Sequence, residues 1–131
     1  VGERTDCIAD DEILYRRVPL AWYDKTTGLL KDEAFAPHKT NDLTGLSLAR
    51  ERFKSLEQAA QGQPGKQYYV AVLRAADLRA NEIRIEQTPP EDPSHAELPD
   101  LNADNRKESR TLQLQRILVE LVVSVLGPFD S

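Results

Sequence analysis

The stretch DEILYRRVP, residues 11 to 19, alternates in a way that sets Ile13, Tyr15 and Arg17 on one side of an extended chain and Leu14, Arg16 and Val18 on the other. It predicts a strand ended by Pro19. The next segment, LAWYDKTTGLLKDEAFAPHKTND, sustains neither a two-residue nor a helical period, and its TTG marks a turn. Irregular structure with short extended pieces is expected there, held down by Trp22, Tyr23 and Phe35.

In LTGLSLARERFKSLEQAAQG the apolar positions Ala49, Phe53, Leu56 and Ala60 recur at helical spacing, Ser47 can serve as N-cap and Gly62 can end the run. A helix with one buried stripe follows. QYYVAVL then reads as a strand, RAADLRAN as a helical turn, and EIRIEQ, with Ile83 and Ile85 alternating against charges, as a second strand. A parallel crossover needs about a dozen residues, more than this connection has, so these strands should pair with others between or beside them.

Residues 88 to 109 carry four prolines and many Asp, Glu and Asn, with HAEL as their only extended piece, and predict a long loop. The last element, RTLQLQRILVELVVSVLGPFDS, places Leu114, Leu118, Leu121 and Val125 at helical spacing before the stop signal of Gly127 and Pro128. Its length from Lys107 favours a helix with a wide apolar face, and its β-branched run makes a buried strand the competing assignment. The expected fold is therefore α+β: a small mixed or antiparallel sheet, a central helix and a strongly apolar C-terminal helix. Residues 1–12 read as a polar N-terminal segment and 13–129 as a single domain.

Composition narrows the function classes. The 131 residues are 40% hydrophobic and 30% charged, too apolar for a disordered chain and too charged for a membrane one. ILVELVVSVL, the longest strongly apolar run, is about half the length of a spanning helix and contains Glu120. With 17 Lys and Arg against 22 Asp and Glu, the net charge of −5 opposes a phosphate backbone, so nucleic acid is not an expected partner. The single cysteine, Cys7, points to a reducing cytoplasm, and the absence of methionine even at position 1 reads as a processed or trimmed start.

Signatures for phosphate loops, paired cysteines, HExxH and GxSxG are missing, and His38, His95 and Cys7 lack metal-ligand spacing, so neither metal nor cofactor is expected. The acidic run Asp6, Asp10, Asp11 and Glu12 lacks the spacing of a calcium loop and reads as a solvated end. Arg16 and Arg17 must point to opposite faces of one strand, so one of them is expected to be half-buried and ion-paired, with an anion site as the alternative. His95 and Glu97 fall on one face of an extended HAEL, with Ala96 and Leu98 facing inward.

The arginine in ILYRRV followed by GLSLAR resembles the opening of the ADP-ribosyltransferase fold, in which a first-strand arginine and a later serine hold NAD ahead of a catalytic glutamate. The resemblance covers two short pieces. It implies ligand-binding roles for Arg16 or Arg17 and Ser47, while GLSLAR runs into the expected helix and no glutamate is singled out. LYRRV, AF, LS, VAVLRAADLR and HAEL together also resemble small bacterial proteins, a likeness that brings no activity with it.

The expected function is a protein-interaction or regulatory module of the adaptor, antitoxin or immunity type, engaging a partner protein through Leu114 to Leu126, with homo-oligomerisation as an option. The alternative is an anion- or nucleotide-binding enzyme that uses Arg16 or Arg17 with His95, and Ser47 or Glu97. A cleft shared by these side chains discriminates between them.

Overall fold

The structure, a computed structural model, describes residues 8–131. Cys7 and Asp6 lie outside the described residues. Strand β1 (Ile13–Pro19) runs through the middle of a six-stranded sheet formed with β4 (Leu46–Arg50), β5 (Gln67–Arg74), β6 (Glu86–Gln87), β7 (His95–Leu98) and β8 (Ser124–Asp130). The order is β6-β7-β4-β1-β5-β8, and every pairing is antiparallel. Strands β5 and β6 are not neighbours: β7, β4 and β1 lie between them. A two-stranded ribbon, β2 (Tyr23–Asp24) with β3 (Leu29–Leu30), carries the irregular segment. Its anchors act as expected: Phe35 is fully buried, and Tyr23 meets Tyr69 edge-on with ring centroids 4.7 Å apart.

Alternation gives the sheet two unlike faces. Leu14, Val18, Leu46, Leu48, Leu73, Ala96 and Leu98 line one of them and join the main core. That core is closed by Leu78 of α2 (Ala75–Ala80) and by Leu114 and Leu118 of α3 (Ser109–Leu121). The other face carries Tyr15, Tyr68, Val70 and Val72 beneath Ala59 and Ala60 at the end of α1 (Leu56–Ala59). A helix of one turn covers only part of a sheet face.

Three expectations are corrected. Residues 47 to 50 are strand, not helix: Leu46, Leu48 and Arg50 are buried while Ser47 and Ala49 are half-buried, a period of two that lets LSLAR pair with both β1 and β7. The helix begins eight residues after the expected start, and its cap is Ser55, whose hydroxyl accepts from Gln58 N (3.2 Å) while Gln58 Oε1 accepts from Ser55 N (2.9 Å). At the other end of the chain, α3 stops at Leu121 and the β-branched residues that follow enter β8, an edge strand against β5, with Gly127 and Pro128 inside it. The apolar surface expected of one wide helix is thus divided between a core-facing stripe and a strand. In EIRIEQ only Glu86 and Gln87 pair; Ile83 is buried where the chain turns back after α2, its N–H donating to Leu78 O at 3.0 Å.

Within the acidic run Asp10 and Asp11 are exposed, as a solvated end requires, and Glu12 is the exception. Glu12 is 7% exposed and receives the guanidinium of the fully buried Arg50, while Asp10 pairs with Arg79 at 2.6 Å. Among the described residues no helix is long and apolar enough to cross a membrane.

Candidate functional site

Consecutive positions on β1 send Arg16 and Arg17 to opposite faces, and the two have opposite fates. Arg16 shares the side of Leu14 and Val18. Its guanidinium donates to the carbonyls of Ala34 (3.1 Å), Ser47 (3.0 Å) and Ala36 (3.4 Å) and lies 3.7 Å from the Asp42 carboxylate. Burial pulls its pKa below the ordinary arginine value, against the opposing pull of Asp42. Asp42, only 2% exposed, also accepts from His38 N (2.6 Å) and Ser47 N (2.9 Å), so the pair ties three segments together. Arg16 is the half-buried, ion-paired arginine that the alternation requires.

Arg17 faces outward on the side of Tyr15. It sits 5.2 Å from the centroid of the Tyr68 ring and donates to Gln61 O, which fixes its charge at the surface without neutralising it. The turn beneath is tight: a Cβ on Gly62 would come within 2.5 Å of Tyr68 Cζ, and the Tyr68 hydroxyl accepts from Gln63 N at 2.9 Å. Only glycine fits there.

The two histidines are held by their Nδ1 atoms in opposite senses. His38 Nδ1 accepts from the backbone N–H groups of Thr40 (3.1 Å) and Asn41 (3.2 Å), and lies 2.9 Å from the Thr40 hydroxyl. A backbone N–H can only donate, so Nδ1 carries the lone pair and Nε2 the hydrogen. His95, on β7 opposite Ala49, has Nδ1 against the carbonyl of Thr88, which can only accept. Here Nδ1 carries the hydrogen, and in the neutral ring Nε2 is the free acceptor. The proline-rich loop is set for this by Asp92, whose side chain accepts from Ser94 Oγ (2.6 Å) and Ser94 N (3.1 Å) and is held below the usual carboxylate pKa mainly by that hydroxyl.

One cleft of about 910 Å³ brings these groups together. It is lined by Arg16, Arg17, Lys39, Lys54 and Arg106, by both histidines of the chain, and by Asp42 as the one carboxylate. Leu48, Ala49 and Ala59 give it apolar lining, and Trp22, the sole tryptophan, reaches it. Among the described residues Arg17, Lys39, Lys54 and Arg106 make no ion pair, and no group of three His, Cys, Asp or Glu side chains is placed to hold a metal. On a chain of net charge −5, such a cleft concentrates positive potential where the rest of the molecule is acidic.

The cleft therefore gathers Arg16, Arg17, Ser47 and His95, though no hydrogen bond links His95 to either arginine. Glu97 is not part of the lining. It pairs across the sheet with Ser47, is 7% exposed, and accepts from the Thr44 hydroxyl (2.9 and 3.2 Å). Arg17 shares the face of Ser47, whereas Arg16 binds the Ser47 carbonyl from the other side. Sequence reasoning missed Lys39, Lys54, Arg106 and Trp22, which lie on separate segments, and passed over His38, whose setting in PHKTND carried a turn signal. Comparison with protein-family models, curated proteins and solved structures finds nothing that matches this chain.

Proposed function

We propose that the chain is a binding protein that takes a small anionic ligand in this cleft. The observation carrying the reading is the lining itself: unpaired cations with one carboxylate already engaged, on a protein whose overall charge is negative. Arg17 is preorganised by Tyr68 and Gln61, which lowers the ordering cost of receiving an anion. Arg16 serves as a strut behind the site rather than as a ligand-binding group. The test is titration of the full chain with inorganic pyrophosphate, followed by Trp22 fluorescence and calorimetry. Saturable binding that weakens with salt and is lost in Arg17→Glu/Lys54→Glu supports the reading; absence of binding at low salt removes it.

A second reading, an interaction module of the adaptor or immunity type, is favoured by the open edge of β8, where Leu126 is 39% exposed and Val123, just before the strand, 45%. A second copy pairing edge to edge is the occupant with matching geometry. Sedimentation velocity of wild type and Leu126→Asp decides this pairing: a wild-type monomer at all concentrations rejects self-association through β8.

A further inference from the structure

Resting on the anion-binding reading, we infer that the ligand is a ribonucleotide, with its phosphate at the cations, its sugar hydroxyl on His95 and its base over the apolar part of the cleft. Size is the first reason. At about 910 Å³ the cleft is far larger than an inorganic anion needs and lies within the range of pockets that enclose organic ligands. Depth is the second. Ala49 sits between Tyr15 and His95 in one row across β1, β4 and β7, and Ala59 approaches from α1, so small side chains leave room for a flat group.

Polarity is the third reason and the most specific. A site made for a bare anion presents donors and positive charge alone. This one also offers an acceptor, because the Thr88 carbonyl commits Nδ1 of His95 as donor, so that a neutral ring presents its lone pair at Nε2. A fully deprotonated anion has nothing to give that nitrogen, whereas a ribose gives it a hydroxyl while the phosphate stays on the cations. His38, locked in the other tautomer by Thr40 and Asn41, offers Nε2–H to an acceptor on the ligand. A phosphate ester bearing hydroxyls and an unsaturated base satisfies all of these groups together.

The experiment titrates the full chain with AMP, adenosine and inorganic phosphate under one ionic condition, reading Trp22 fluorescence and heat. AMP should bind at least about tenfold more tightly than either fragment. His95→Asn keeps a donor for the Thr88 carbonyl and removes the Nε2 acceptor, so AMP affinity should fall about three- to tenfold while phosphate affinity and thermal midpoint stay put. Phosphate binding as tightly as AMP, or unchanged AMP affinity in His95→Asn, overturns the ribonucleotide inference and leaves the anion site standing. Failure of AMP, phosphate and pyrophosphate alike overturns both.

Discussion

Glu12, one residue before β1, and Arg50, the last residue of β4, form an ion pair inside the protein. Both carboxylate oxygens of Glu12 receive the guanidinium, Nη2 to Oε2 at 3.0 Å, and Nη1 donates to Pro93 O at 2.9 Å. Arg50 is fully buried, so its charge has no water to fall back on. Removing the carboxylate breaks this buried pair and takes away two of the acceptors around the guanidinium, at a cost of about 3 kcal/mol. Glu12→Ala should show that loss in urea unfolding. A change below about 1 kcal/mol would mean that the pair is not what holds the N-terminal segment to the sheet.

Asp42 should be nearly as sensitive, for a different reason. Its two oxygens accept from separate backbone N–H groups, those of His38 and Ser47, and an amide can present an acceptor to only one. Asp42→Asn therefore leaves a buried donor facing a donor and withdraws the counter-charge of Arg16, at a cost of about 1–3 kcal/mol. Because His38 and Ser47 line the cleft, anion affinity should fall as well. Wild-type stability in that variant contradicts the strut role.

The two-sided pattern of β1 was legible in the sequence because its alternation is strict, and with it the contrast between Arg16 and Arg17. LSLAR was misread because a buried arginine looks polar in any one-letter pattern: with Arg50 counted as apolar, Leu46, Leu48 and Arg50 alternate as a strand. Glu12, whose carboxylate pairs with Arg50, lies 38 residues away. The cleft was hidden for the same reason. Lys39, Lys54 and Arg106 come from segments joined only by the order β7-β4-β1, which local periodicity does not encode.

The apolar C-terminal stretch makes a sharper distinction now that it is divided. Leu118 is fully buried under the sheet, whereas Leu126 is 39% exposed on the edge. Leu118→Asp places a carboxylate in the main core and should leave the chain unfolded. Leu126→Asp should shift stability by no more than about 0.5 kcal/mol. Circular dichroism melts of the two variants check this; equal behaviour would contradict the separation of core stripe and edge strand.

Helix capping gives a second paired comparison. Ser55 accepts the Gln58 N–H, so Ser55→Ala should cost about 1 kcal/mol. Ser47 takes part in bonding through its backbone, donating its N–H to Asp42 and accepting from Arg16 at its carbonyl, and alanine keeps both. Ser47→Ala should therefore fold with nearly wild-type stability, and any effect should appear in ligand binding at the cleft. A loss of about 1 kcal/mol at Ser47 with none at Ser55 would return the cap to the earlier position.

Tyr15 supplies a test that depends on pH. Its ring is 8% exposed, and burial, reinforced by the Glu51 carboxylate that receives its hydroxyl at 3.2 Å, pushes the phenol above its ordinary pKa. The unfolded chain ionises this group near pH ~10, before the folded protein does. Folding is thus favoured by the neutral phenol below that value, and the advantage disappears as pH rises through the raised folded pKa. Urea unfolding of wild type at a series of pH values from about 8 to 11 should reveal a decline in stability that is shallower in Tyr15→Phe, which has no proton to lose. Parallel curves for the two proteins would show that Tyr15 ionises as easily folded as unfolded, and would contradict its burial between the sheet and α1.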